Sequence, residues 1–395
     1  MTFLIFVIIL GILVFVHELG HFLAAKKANV RVDEFGFGYP PRALKIGEKW
    51  GTLFTLNWIP FGGFVKIFGE NYEKDEISPQ ESSSSESPRV SPQSGARLSS
   101  EDFPVGRNFT QVSKKWQATI LVAGVTFNII FAWFLFSLGF VIGLPTSVDN
   151  DFGAVVKNPT LTVVGLIQDF PAQKSGLKTG DKIKEISLSN GKMLQNLNPE
   201  EVSDFINNSE GEIEIQIDRG GEILNFGITP KTEIVENPPS SLGQERKIIG
   251  INMDMVGTLS LPIHKAIYQG GKTTLKLSYL TVFGIANLIL DAVKGEADIS
   301  EIAGPVGIVG LVGDATRLGF SYLITFTALI SINLAIINLV PFPALDGGRI
   351  LFVAIEGITK RKINPKVANI ANTVGFALLI TLMLIVTYRD ILKLF

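Results

Sequence analysis

The chain has 395 residues, enough for two or three domains, and with 46% apolar and 18% charged residues it is more hydrophobic than a soluble average. A formal net charge of −2 and the lack of a dense basic stripe give nucleic-acid binding no electrostatic support. Cysteine is absent, which excludes disulfides, thiolate ligands and a cysteine nucleophile and leaves histidine and carboxylate as the metal-binding side chains.

The first predicted element is the apolar run Phe3 to Ala25, which reaches the roughly 20 residues a membrane-spanning helix needs yet contains His17-Glu18-Leu19-Gly20-His21. Helical positions four apart share one face about 6 Å apart, so His17 and His21 can aim their imidazoles at one ion with Glu18 beside it. Neutral imidazoles bind zinc at roughly 2.0 to 2.1 Å, and a neighbouring carboxylate can take a proton from water. The competing reading is coincidence. With three histidines in the chain, this pattern is expected by accident in on the order of one such chain in a thousand. Lys26 and Lys27 follow the run and no basic residue precedes it, so 1–32 reads as a retained span rather than a cleaved signal.

Residues 33–70 hold glycines, the pair Pro40-Pro41 and the alternating stretch Thr52 to Trp58, which predicts strands joined by turns. This is either a surface hairpin or a re-entrant β element beside the metal, shielded by protein because open edges cannot face lipid. Residues 71–108 are rich in Ser, Glu and Pro, including Ser82 to Ser85, and read as a disordered cytoplasmic linker. A second span lies in 109–145, over Thr119 to Leu144.

Residues 160–232 read as a small soluble α+β module. Leu161 to Ile167 alternates like a strand, Asn198 to Asn207 opens like a capped helix, and Glu212 to Asp218 with Ile223 to Ile228 forms a hairpin around Arg219-Gly220-Gly221. The stretch Pro171-Ala172-Gln173-Lys174-Ser175-Gly176-Leu177-Lys178-Thr179-Gly180-Asp181-Lys182-Ile183 resembles the signature of a bacterial PDZ domain, whose strand-helix groove can take an added peptide or C-terminus. A tight turn without a ligand is the plain alternative. Within 233–319, Leu275 to Val293 is interrupted by Lys276, Ser278, Asn287 and Asp291 and reads as an amphipathic helix on the membrane surface. Residues 320–395 hold the third span, Phe320 to Val340, and a fourth from Ala368 to Tyr388.

Basic residues flank these spans at Lys26, Lys27 and Arg31, at Lys114 and Lys115, and at Lys360, Arg361, Lys362 and Lys366, placing those sides in the cytoplasm and residues 145–319 outside. Arg389 and Lys393 weakly oppose that orientation.

Two histidines leave a catalytic zinc site one short of its usual three protein ligands. Asp346 is favoured over His264, because Pro341-Phe342-Pro343-Ala344-Leu345-Asp346-Gly347-Gly348 breaks the helix at membrane depth, which is tolerated where chain lines a protein cavity. Asp346 could equally cap the helix that follows.

Together these residues resemble the site-2 protease family of intramembrane zinc metalloproteases, most closely its bacterial sigma-E-protease type with an extracytoplasmic PDZ domain, over nearly the whole chain. The resemblance implies a polytopic α-helical membrane protein with four transmembrane helices, a re-entrant β element and an inserted α+β PDZ domain in the bacterial cytoplasmic membrane. It implies Zn2+ on His17, His21 and Asp346 of Leu345-Asp346-Gly347, with Glu18 as the catalytic base. Phe61-Gly62-Gly63-Phe64-Val65-Lys66 looks like the family's re-entrant β region and Gly304-Pro305-Val306-Gly307 like its loop before the third span. Gly62, Gly63, Asn128, Asn333 and Asn338 are the implied substrate-side residues, although interhelical bonding is the more common use of a residue such as Asn128. Gly124-Val125-Thr126-Phe127-Asn128 keeps the Asn of the family's Gly-Pro-x-x-Asn pattern and lacks its Pro. One PDZ copy is recognisable where some relatives have two.

Implied substrates are single-pass membrane proteins, such as anti-sigma factors trimmed outside or leftover signal peptides, with the PDZ domain filtering out untrimmed ones. Two other classes stay open: a transporter or proton relay, which also places His, Glu, Asp and Asn within spans, and an inactive PDZ-bearing scaffold.

Overall fold

The computed structural model describes residues 1–70, 107–149, 155–167, 169–189, 191–235, 244–296 and 303–392; almost all of the Ser-rich linker expected at 71–108 lies outside them. In chain order the elements are α1 (Thr2–Lys27), β1 (Val32–Lys49), β2 (Thr52–Ile67), α2 (Lys114–Ile142), β3 (Leu144–Ser147), β4 (Lys157–Leu166), α3 (Pro171–Ser175), β5 (Lys182–Leu188) and α4 (Pro199–Asn207). They continue with β6 (Ile213–Arg219), β7 (Glu222–Ile228), β8 (Lys231–Val235), β9 (Gln244–Ile248), β10 (Ile251–Leu259), α5 (Ile263–Lys294), α6 (Pro305–Leu318), α7 (Phe320–Leu339), α8 (Asp346–Thr359) and α9 (Pro365–Leu392).

Among the described residues five helices are long and apolar enough to cross a membrane: α1, α2, α5 over Ile263–Ala292, α7 and α9. That is one more than the four expected, because α5 begins at Ile263, well before the apolar stretch at Leu275. The chain is a polytopic helical membrane protein that also carries sheets.

The chain divides into two compact units. The first holds Met1–Ala132, Leu275–Gly310 and Leu329–Phe395. Here β1 and β2 are long enough to double back on themselves. The 32–37 stretch pairs with 67–63, 34–39 also lies alongside 53–59, and 42–49 pairs with 57–52, so two long strands make a sheet four segments wide. The segment ending at Ile67 is one of its edges. Aromatic rings tie this sheet to α1, with Phe22 packed edge-on against Phe35 and Phe54 at 5.4 and 5.8 Å between ring centres. Phe22, Val32, Phe35, Ile67, Ile120, Leu121 and Val353 are buried together in one core. Helix α1 ends at Lys26 and Lys27, whose positive charges suit a helix C-terminus.

The expected loop Gly304 to Gly307 differs from the structure: Pro305 opens α6, a position where its missing N–H costs nothing. The buried Asp390 of α9 accepts a hydrogen bond from Gly307 N at 2.7 Å, satisfying a donor of that first turn.

The second unit, Trp133–Thr274 with Leu311–Ala328, is built on a six-stranded sheet in the order β3-β10-β4-β5-β6-β7. It therefore draws in Leu144–Ser147 and Ile251–Leu259 from outside the expected 160–232 boundaries. Leu161, Val163, Ile183, Ile186, Ile213, Ile215 and Ile217 alternate inward to form its core. Asn198 caps α4 by accepting from Glu201 N at 2.8 Å, with Pro199 in the first helical position. Asp181 is buried and takes Arg219 Nε at 2.7 Å and Nη2 at 2.6 Å, while also accepting from Lys178 N. That hydrogen-bonded pairing raises the pKa of Arg219 above its ordinary value and locks the 176–181 turn to the β6–β7 hairpin.

Candidate active site

His17 and His21 lie one turn apart on α1, both buried, and their rings stand edge to face at 4.8 Å between centres. Asp346 reaches them from the opposite end of the sequence. Its Oδ2 lies 2.9 Å from His17 Nε2 and 3.3 Å from His21 Nε2, and the two Nε2 atoms are 3.1 Å apart. Three ligands of a tetrahedral zinc, each about 2.0 to 2.1 Å from it, stand about 3.3 Å from one another, so the donor atoms are already spaced for one ion. The set also has the right chemistry: two imidazoles and a carboxylate are three protein ligands, the number found where catalytic zinc keeps a position for water or substrate.

The local sequence explains how Asp346 gets there. Pro341 and Pro343 prevent α7 from continuing, and the chain turns through Phe342 N to Val340 O and Leu345 N to Phe342 O hydrogen bonds, with Ala344 at a φ of +76°. Gly347 and Gly348 let α8 start hard against that turn, since an added Cβ would lie 2.2 Å from Val340 O or 2.3 Å from Phe342 O. Leu345 is the N-cap of α8 and Asp346 its first residue, so the capping alternative does not describe the aspartate. His264 is exposed in the first turn of α5 and is not part of the cluster.

Helix α2 forms the back wall. An added Cβ at Gly20 would lie 2.4 Å from Ala123 O, and one at Gly124 2.4 Å from His21 Nε2 and 2.8 Å from His17 Nε2, so both glycines permit the close approach of α1 and α2. His21 Nδ1 lies 2.8 Å from Ile120 O, and Asn128 Nδ2 lies 3.3 Å from His17 Nδ1.

Two cavities of about 420 Å3 meet at Glu18 and Asp346. One is lined by Leu10, Val14 and Leu334 together with Gly62, Gly63 and Asn338. The other reaches Lys66, Glu70 and Arg349, the last two forming an ion pair. Gly62, at a φ of +87°, leaves room for the Tyr39 ring, and a Cβ on Gly63 would stand 3.7 Å from Glu18 Cγ. The structure thus brings Gly62, Gly63 and Asn338 to the cavity beside Glu18. Asn333 is exposed and meets Thr281 of α5, and Asn128 is fully buried behind His17. Tyr39, Glu70 and Arg349 were missed by sequence reasoning. Arg349 follows Asp346 by one helical turn, a spacing that could have drawn attention to it.

The sequence model of peptidase family M50 matches residues 5–382. Zinc metalloprotease RasP of Oceanobacillus iheyensis is 30% identical over 100% of this chain and 99% of its own, and the protein of that name from Geobacillus kaustophilus is 29% identical over 99% and 97%. Regulator of sigma-W protease RasP of Bacillus subtilis is 28% identical over 100% and 99%. With that match running through both halves of the histidine and aspartate cluster, the chain belongs to peptidase family M50, the site-2 protease family that its motifs resemble.

Proposed function

We propose that this zinc metalloprotease cuts a peptide bond within or beside the transmembrane helix of a single-pass membrane protein, using His17, His21 and Asp346 to hold the ion. The observation that carries the reading is the meeting of those three donors with Glu18 where two cavities join, one of them walled in part by an apolar, span-length helix. Zinc, when bound, polarises the scissile carbonyl and makes water an effective nucleophile near neutral pH. Glu18 takes the proton from the attacking water and then delivers it to the leaving amine.

An intact helix hides its carbonyls in i to i−4 hydrogen bonds, so the substrate unwinds locally before attack. The sheet edge at Gly62 to Ile67 borders the cavity beside Glu18 and offers backbone partners to the unwound stretch by strand addition, with Asn338 at the same cavity. The other substrate-side assignments rest on resemblance alone.

The basic flanks favour a cytoplasmic Lys26 end of α1, and the bacterial relatives favour the cytoplasmic membrane. Asp346, just beyond α7, meets His21 near that same end, which favours four crossings over five. The module around 160–232 then faces outward as a PDZ domain that excludes substrates with untrimmed outer domains. The relative named regulator of sigma-W protease favours anti-sigma-type substrates, with leftover signal peptides as a second class.

The test is purified protein with a model transmembrane substrate, scored for fragments with and without a zinc chelator. Cleavage inside or beside the hydrophobic segment that stops with chelator and returns with zinc is expected. Chelator-insensitive cleavage, or none with zinc restored, overturns the assignment. Deleting 160–232 tests gating: untrimmed substrates should become cleavable, and continued strict refusal removes the filter.

A further inference from the structure

The ring of a zinc-binding histidine has two nitrogens, and which one faces the ion is set by the partner of the other. For His21 the partner is a carbonyl: Nδ1 lies 2.8 Å from Ile120 O, an atom that can only accept, so the proton sits on Nδ1 and Nε2 has a free lone pair. His17 has no such fixed acceptor. Its Nδ1 faces the Asn128 amide, with Nδ2 at 3.3 Å. Asn128 is fully buried, and its Oδ1 has no hydrogen-bond partner among the described residues.

The asparagine amide presents a donor and an acceptor at nearly the same point, exchanged by a half-turn about Cβ–Cγ. With Nδ2 turned toward the ring, the Asn128 amide can only donate, and His17 Nδ1 would have to accept. Zinc on Nε2 requires the other tautomer, with the proton on Nδ1 and an acceptor facing it. The unpartnered Oδ1 of Asn128 is that acceptor once the amide turns over.

We infer that Asn128 is a positioning residue for the metal centre, whose amide turns to accept from His17 Nδ1–H and so commits Nε2 to zinc. Helix α2 then sets both imidazoles, His21 through a main-chain carbonyl and His17 through a side chain two turns further on. Asn128 is not a lining residue of the cavity beside Glu18 and Asn338, so this role replaces the substrate contact that resemblance suggests. The inference rests on zinc being held by His17, and the test separates the two.

Zinc dissociation constants would be measured by chelator competition for the full-length wild type, Asn128→Leu and Asn128→Asp. Leucine keeps the volume and cannot accept; aspartate keeps the acceptor. Loss of an outer-shell partner should weaken zinc binding about 10- to 100-fold in Asn128→Leu, whereas Asn128→Asp should stay within about threefold of wild type. A purely interhelical role predicts the reverse order, because an aspartate buried between helices is worse than leucine. Equal loss in both variants, or full zinc affinity in Asn128→Leu, overturns the inference. Should Asn128→Leu fail to fold, Asn128→Asp alone decides, a loss of more than about tenfold counting against it. The chain has three histidines, so ring 15N signals can be assigned. Zinc-loaded wild type should show His17 protonated at Nδ1, and zinc on Nδ1 would also overturn the inference. A wild type that holds no zinc sinks the metalloprotease reading instead.

Discussion

Glu18 is the one acidic side chain of α1, next to His17 in sequence and about one turn from His21, and it is not one of the three clustered donors, so its replacement isolates the proton-transfer step. Glu18→Gln keeps the side chain's shape and removes its basicity. Cleavage should fall by about 10²- to 10⁴-fold while zinc content stays at the wild-type level, measured by metal analysis on the same preparation. Loss of zinc along with activity would make Glu18 structural. Gly63→Val places two methyl groups between the sheet edge and Glu18, where a Cβ already stands 3.0 Å from Gly36 O. Turnover per enzyme should drop about 10²-fold with zinc retained, and unchanged kinetics would remove this edge from the substrate path. The convergence of His17 and His21 was legible because four residues is about one helical turn, and the turn that brings Asp346 to them because two prolines and two glycines mark it. The asparagines were not equally legible. Asn333 and Asn338 are five apart on α7, about 140° around the helix, so they could not share one face, and only Asn338 lines the cavity.

At the scale of elements, short-range signals served well where a segment's partners are its own neighbours. The α4 cap and the β6–β7 hairpin could be read from Asn198-Pro199 and Arg219-Gly220-Gly221. Helix α6 could not, because its glycines at 307, 310 and 313 argue against helix and the carboxylate that satisfies its first turn comes from Asp390. The doubling of β1 and β2 was equally hidden, since pairing of 34–39 with 53–59 is a tertiary event that alternation does not encode. Strand recruitment from Ile251–Leu259 has the same cause. The Arg219 to Asp181 pair offers a stability test at this scale. Arg219→Met strands a buried carboxylate and should destabilise the second unit by about 3 kcal/mol, read as faster hydrogen exchange across β5 and β6. Exchange indistinguishable from wild type would show that Asp181 finds water instead.

For the whole molecule the open question is parity, the number of times the chain crosses the bilayer. Length and composition admit α5 as a fifth span, whereas the meeting of Asp346 with the Lys26 end of α1 is natural with four. The chain has no native cysteine, so single cysteines report cleanly. In oriented vesicles, Ser189→Cys should react with an impermeant reagent from the outer face and Lys362→Cys from the cytoplasmic face. Both labelling from the outer face would establish five crossings. The paired cavities carry a further consequence. Hydrolysis deep in a bilayer must bring together an oily peptide and a reagent that oil excludes. Here the leucine- and valine-walled recess and the one bearing lysine, glutamate and arginine share the Glu18 and Asp346 carboxylates, so the two reactants can arrive through separate doors and first meet at the bond being broken.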